Sequence, residues 1–440
     1  MNFHSTRDHT HHADFRQAIF RGLAPDGGLY HPTSEPDLKG LFLNLPDDLS
    51  FSEMSARVIP ELLPETFNAE SAAEVCTEAF PFEPRLNRVS EQIYLLELFH
   101  GPSCAFKDFG ASFLAASMQH LLGAQDQRAV ILTATSGDTG SAVARAFHKR
   151  EGIDVVILYP SGRVSPLQEK QLTTVGDNVT ALEVAGSFDD CQRMVKQAFL
   201  DAELRTRLQL TSANSINLGR LLPQALYYIY AFLKLRSHIA SELLFCVPSG
   251  NFGNLTAGIL AWRWGLPASG FIAATNANDV VPEYLLTGIF RPRPSRQTLA
   301  NAMDVGNPSN FERMLQIFGS DYEVMREIVR GEVVDDETIM GVMRRYHAEY
   351  GLFVDPHTAA GLEGAQRYLA GDGAEDAAVV TLATAHAAKF GESVRAATGS
   401  EPDLPQTLAR AMELQKHSVP IDASLDSLRA YLLEHYDTHD

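Results

Sequence analysis

The sequence predicts an α/β fold of open parallel sheets with helices on both faces, and three observations carry that expectation. From about residue 93, short apolar and often β-branched runs alternate with helix-length segments, which implies parallel strands joined by right-handed crossovers. Two strand-to-helix turns share one design: Ser136-Gly137-Asp138-Thr139-Gly140 after the apolar run Ala129 to Thr133, and Ser249-Gly250-Asn251-Phe252-Gly253 after Leu243 to Val247. Ser187-Phe-Asp-Asp190 forms a capping box, followed by Cys191, Val195 and Phe199 at helical spacing.

Taken in order, residues 1–92 read as mixed turns and short helices, punctuated by Leu23-Ala-Pro-Asp-Gly-Gly-Leu29. Strands are expected at 93–98, 129–135, 154–159, 179–184, 208–212, 243–248, 270–275 and 378–384. Further helices are expected from Leu221 to Leu235 and from Asp336 to Tyr350, with a surface loop at Arg291-Pro-Arg-Pro-Ser-Arg296. An N-terminal segment (1–92), a larger domain (93–125 and 236–440) and a smaller α/β domain (126–235) are expected.

The bulk numbers narrow the function. A 440-residue chain that is 45 % hydrophobic and 21 % charged is ordinary for a globular protein with a large core. The formal net charge of -19 argues against a nucleic-acid surface and against binding to anionic membranes. The N-terminus lacks the pattern of a secretory signal and no apolar run reaches spanning length, so a cytoplasmic protein is expected. Cys76, Cys104, Cys191 and Cys246 form no CxxC pair, which disfavours a disulfide framework or zinc knuckle. His4, His9, His11 and His12 lack partners at ligand spacing, so they read as a flexible exposed segment and no metal is assigned.

The chemistry concentrates in a few motifs. In His100-Gly-Pro-Ser-Cys-Ala-Phe-Lys107-Asp-Phe-Gly110, one lysine is embedded among apolar and small residues. Desolvation can strip such an amine of its charge and make it a nucleophile, although a lysine by default snorkels to the surface. The turn from Ser249 to Asn254 packs many donors into six residues, as a phosphate requires, although Gly and Asn also make ordinary tight turns. Ser136, Gly137, Asp138 and Thr139 make a second anion cradle. Neither turn is GxGxxG and no Walker A motif is present, which weakens dinucleotide and ATP readings. Thr384 closes the last apolar strand, where its hydroxyl can meet a ring nitrogen. Asn217 and Arg220 precede one helix and Arg163 another, and arginines so placed suit a phosphate or carboxylate. A desolvated lysine with two anion cradles points to pyridoxal phosphate.

Together with Arg21-Gly-Leu-Ala-Pro-Asp-Gly-Gly-Leu-Tyr30, Asn276-Ala-Asn-Asp279, Met303-Asp-Val-Gly-Asn-Pro-Ser-Asn310 and Asp355-Pro-His-Thr-Ala-Ala-Gly361, these motifs resemble the threonine synthase family, in its order and over almost the whole chain. The resemblance implies a tryptophan-synthase-β-like, type II pyridoxal phosphate fold. It implies that Lys107 forms the Schiff base. Gly250, Asn251, Phe252, Gly253 and Asn254 would hold the cofactor phosphate, and Thr384 would meet the pyridine nitrogen. By the same resemblance, Ser136, Gly137, Asp138 and Thr139 receive the substrate's amino-acid carboxylate. Arg163, Asn217 and Arg220 would then face the substrate phosphate. The implied reaction converts O-phospho-L-homoserine and water to L-threonine and phosphate in a monomer or homodimer. Ser103 and Ala387 depart from the threonine and proline common in the family. A phospho-lyase or dehydratase on the same cofactor, and a non-catalytic ligand-binding relative, are the alternatives.

Overall fold

The structure is a computed structural model that describes residues 1–122, 128–135, 137–239, 242–371 and 374–437. Its strands, in chain order, are β1 (Phe3–Ser5), β2 (His12–Ala13), β3 (Tyr30–Pro32), β4 (Arg85–Arg88), β5 (Ile93–Glu97), β6 (Ala129–Ala134), β7 (Ile153–Pro160), β8 (Val179–Ala185), β9 (Gln209–Thr211), β10 (Glu242–Pro248), β11 (Gly270–Thr275), β12 (Val329–Val333), β13 (Ala377–Ala383) and β14 (Val419–Asp422). They form a three-stranded sheet β2-β1-β3, a six-stranded sheet β12-β11-β10-β13-β5-β4 and a five-stranded sheet β14-β8-β7-β6-β9. Every pairing in the two larger sheets is parallel except β4 with β5. The central strands β6, β7 and β13 are buried at every position, which is why their sequences run apolar without alternation.

The expected strands all form, and so does the helix Phe188–Leu200 with its Ser187/Asp190 capping box. The helix expected from Leu221 is two pieces, Leu218–Leu221 and Gln224–Leu235, broken where Pro223 supplies no N–H. Three features differ from expectation. Residues 1–32 hold an ordered antiparallel sheet in which β1 carries His4 and β2 carries His12, so the histidine segment is built into the fold. The strands β4, β12 and β14 sit at sheet edges, where little burial is needed and sequences such as Arg-Leu-Asn-Arg leave no apolar signal. Residues 419–436, expected in the larger domain, belong to the five-stranded sheet instead. There β14 pairs with β8, and Leu428 and Leu432 of the helix Leu425–Tyr436 share a core with Val156, Leu182 and Cys191.

The main core crosses the boundary between the two large sheets. Phe51, Phe80 and Phe109 meet edge to face or tilted within 4.8–6.1 Å, and the same core takes in Ile131 and Val155 of the smaller sheet. The helix Lys107–Leu121 threads this cluster through buried Phe109 and Phe113, so its first residue is held from a rigid base.

His31 of β3 is buried with Nδ1 unpartnered, and burial lowers its pKa from 6.5 to about 3. Between those values the unfolded chain binds a proton that the folded chain refuses, so stability is whole above about pH 6.5 and is lost as pH falls toward 3. His31→Gln is expected to flatten the dependence by up to about 1.4 kcal/mol per pH unit. Urea unfolding at pH 7 and pH 5 checks this, and identical slopes in both proteins would refute it.

Candidate active site

The nominated residues gather where strands of both parallel sheets end and helices begin. Lys107 opens its helix after a loop that is tied to the end of β13: Phe106 N donates to Thr384 O at 2.8 Å, and Ala105 bridges Ala385. Burial pushes the Lys107 ammonium down. Asp138, whose Oδ2 lies 3.9 Å from Lys107 Nζ, opposes that shift, while Lys389 and Arg220 reinforce it. Beside it, burial raises the Asp108 carboxyl to about 6 against the Ser103 N–H, which donates to Asp108 Oδ2 at 2.9 Å.

The turn after β10 is shaped by its side chains and presents its backbone. Ser249 Oγ donates to Asn254 Oδ1 at 2.8 Å, and Asn254 Nδ2 donates to Pro248 O at 2.8 Å. Asn251 Nδ2 donates to Ser215 Oγ at 2.6 Å, and its Oδ1 accepts from Ser309 N at 2.6 Å. Phe252 takes a left-handed conformation (φ 60°), a costly one for a residue with a side chain. A Cβ at Gly250 would stand 2.5 Å from Met303 Cα, so only glycine fits there. Among the described residues, no acceptor pairs with the N–H groups of Gly250, Asn251, Phe252, Gly253 or Asn254. Such a row of orphan donors at the mouth of the buried helix Gly253–Arg263 is a ready phosphate cup. Thr384, buried at the end of β13, has a hydroxyl with no hydrogen-bond partner among the described residues.

The turn after β6 is smaller. Gly137 has φ 145°, and a Cβ there would lie 2.5 Å from Gln168 Cδ. Thr135 Oγ1 accepts from Gly137 N and Gly140 N at 2.9 and 2.8 Å. The N–H groups of Asp138 and Thr139 have no acceptor among the described residues, and the Thr139 side chain is half-buried. Ser136 lies outside the described residues.

The three remaining nominees divide. Arg220 is buried beside the Lys107 helix, within reach of Gly110; its Nη1 donates to Ala213 O, while its Nε has no partner. Burial lowers its pKa to about 10, so the guanidinium is still charged at neutral pH and can receive an anion. Asn217 has its amide fully engaged: Oδ1 caps Gly219 N at 2.8 Å, and Nδ2 donates to Ile19 O and Ser212 O at 2.9 and 2.8 Å. It fixes the turn that carries Arg220. Arg163 is exposed in the loop after β7, next to β6 in the sheet.

Sequence reasoning missed two buried cations. Arg313 donates to Tyr30 O, Asn310 Oδ1 and Ile216 O at 2.9, 2.6 and 2.7 Å, bracing the Ser215 and Asn310 groups that hold Asn251. Lys389, fully buried, lies 2.8 Å from Asp138 Oδ1. The only sequence signal for either was its placement near residues already singled out, Met303–Asn310 and Thr384 respectively. A cavity of about 510 Å³ opens between Glu97, His100, Cys104, Phe353, His386 and Thr407, but it holds neither Lys107 nor the orphan donors.

An amine with depressed proton affinity, a cup of unpaired N–H groups and a free hydroxyl just past β13 fit pyridoxal phosphate. Comparisons with known proteins agree along the whole chain. Residues 2–80 match the threonine synthase N terminus, 81–385 the pyridoxal-phosphate dependent enzymes, and 358–432 the threonine synthase C-terminal region. Threonine synthase of Serratia marcescens is 42 % identical over 98 % of this chain and 99 % of its own, and that of Escherichia coli K12 is 41 % identical over 99 % and 100 %. The Escherichia coli crystal structure superposes with a TM-score of 0.90 at 40 % identity over 99 % of this chain and 100 % of its own. The pyridoxal-phosphate-bound structure from Brucella melitensis gives 0.92 at 34 % identity over 99 % of both chains. This chain belongs to the threonine synthase family of pyridoxal-phosphate-dependent enzymes.

Proposed function

We propose that this site converts O-phospho-L-homoserine and water to L-threonine and phosphate, with the roles divided as follows. The N–H groups of Gly250, Asn251, Phe252, Gly253 and Asn254 hold the cofactor phosphate, Thr384 meets the pyridine nitrogen with a neutral hydroxyl, and Lys107 binds the cofactor aldehyde. When bound, the cofactor supplies an electron sink for the charge left at the substrate's Cα. Lys107 Nζ takes protons from Cα and Cβ and returns protons to Cγ and Cα, the Cγ–O bond to phosphate breaks, and water adds its oxygen to Cβ while the proton it loses balances the one that the released phosphate takes up. An amine that shuttles protons must spend time neutral, which its desolvation favours.

The turn at Gly137, Asp138 and Thr139, with Ser136, orients the substrate carboxylate through its N–H groups and the Thr139 hydroxyl. Arg220 faces the substrate phosphate, Arg163 assists from the mouth of the site, and Asn217 positions Arg220 rather than touching substrate. The observation that carries this reading is the buried Arg220 Nε without a partner, beside the helix that Lys107 opens. A dehydratase has no leaving phosphate to meet such a group.

Arg220→Ala is expected to raise KM for O-phospho-L-homoserine about ten- to a hundred-fold while the cofactor affinity stays nearly constant. Loss of cofactor with substrate affinity intact would reverse the assignment of the two phosphate sites. We further propose a cytoplasmic enzyme, monomeric or homodimeric, for which sedimentation equilibrium is the check. Among the described residues no helix is long and apolar enough to cross a membrane, and no group of three or more His, Cys, Asp or Glu is placed to hold a metal.

A further inference from the structure

Asp138 poses a problem for the turn that bears it. It is the first residue of the helix Asp138–Phe147 and is almost fully buried. A full negative charge there opposes an arriving substrate carboxylate, and the half-charge of a helix N-terminus cannot outweigh it. Lys107 cannot cancel this charge. Its Nζ stands 3.9 Å away, and as a proton shuttle it is neutral for part of each turnover. Among the described residues, Lys389 is the other cation paired with Asp138. It follows β13 of the six-stranded sheet, whereas Asp138 follows β6 of the five-stranded sheet. Its side chain is 0 % exposed, with Nζ 2.8 Å from Asp138 Oδ1 and donating to Ser103 O at 2.7 Å. Gln168 Nε2 reaches the same Asp138 oxygen at 3.0 Å, and Gln171 Nε2 the same Ser103 carbonyl at 3.1 Å. The helix Pro166–Thr173 therefore seals the pair from the side of the smaller sheet.

We propose that Lys389 is a specificity-determining positioning residue: by neutralising Asp138 across the seam between the sheets, it allows the 137–140 turn to accept an anionic substrate. The proposal rests on the reading of that turn as the carboxylate site.

The experiment is a charge cycle on the holoenzyme, with Thr139→Val as a separate probe of the turn. Lys389→Met is expected to raise KM for O-phospho-L-homoserine about ten-fold or more, with a smaller fall in kcat and cofactor affinity within about two-fold of the parent. Adding Asp138→Asn removes the stranded charge, and KM is expected to return to within about three-fold of the Asp138→Asn single variant. A merely structural lysine would not be rescued in this way. An unchanged KM in Lys389→Met, or a double variant as impaired as Lys389→Met, overturns the proposal. If Lys389→Met alone does not fold, the double variant decides: KM near that of Asp138→Asn upholds the proposal, and failure to fold or a raised KM overturns it. A raised KM in Thr139→Val with no effect in the charge cycle rejects Lys389 alone. An unchanged KM in Thr139→Val rejects the carboxylate turn and the proposal with it.

Discussion

Replacing Lys107 with alanine is expected to abolish threonine formation, by a factor on the order of ten thousand or more, while leaving the fold intact. A large loss is expected because, in the proposed scheme, one amine both binds the cofactor and moves the protons, and no neighbour would substitute. Lys389 is the other lysine at the site, but its Nζ is held by Asp138 and by Ser103 O. The fold should survive because Lys107 sits at the first turn of its helix, which is anchored by Phe109 and Phe113 deeper in the core. Removing this desolvated amine leaves no buried charge unpaired, because Asp138 keeps Lys389 as its counter-ion. The check is a paired assay of phosphate and threonine from O-phospho-L-homoserine, with circular dichroism of both proteins. Equal release of both products by the parent and none by Lys107→Ala is the expected result. Undiminished turnover in the variant would remove Lys107 from the mechanism. Phosphate without threonine from the parent would mean that water addition fails, as in a phospho-lyase.

Arg313→Met is expected to weaken cofactor binding about ten- to a hundred-fold, although Arg313 is not among the five cup residues. Its guanidinium is fully buried and positively charged at neutral pH, with burial lowering its pKa to about 9. Through Asn310, Ser215 O and Ile216 O it braces the segment whose Ser215 hydroxyl and Ser309 N–H hold the Asn251 amide. Methionine fills the volume but leaves these acceptors without donors, each at a cost of about 1–3 kcal/mol, and the cup loses its alignment. The loss of a desolvated charge partly offsets the cost in stability, so cofactor affinity is the more sensitive readout. Fluorescence titration of the apoenzyme with pyridoxal phosphate measures it. A folded variant with parental affinity would show that the cup is rigid without this brace.

Much of this site was legible in the chain because its motifs are local. A strand, a glycine turn and a helix start occupy about ten residues, and the donors they present are fixed by backbone conformation within that span. Thus the 249–254 turn and the lysine loop could be read directly, as could the buried strands, whose unbroken apolar runs reflect burial on both faces. Asn217 shows the limit of such reading. An asparagine before a helix suits a ligand or a cap equally well in sequence, and here both ends of its amide are engaged by the chain.

The sequence by itself determined the parallel α/β architecture and the cofactor class, and it nominated Lys107, since each is written in short-range pattern and residue chemistry. Only the tertiary structure decided which charges face one another. Lys389 and Asp138 are about 250 residues apart and Arg7 and Glu312 are 305 apart, and whether such groups pair depends on how remote elements pack. It also decided that residues 419–436 return to the smaller sheet, because a short edge strand and two buried leucines acquire a partner only when the remote face of β8 is already in place. Coulomb energy and burial depend on distance in space, and a linear pattern specifies that distance only within one turn or one strand.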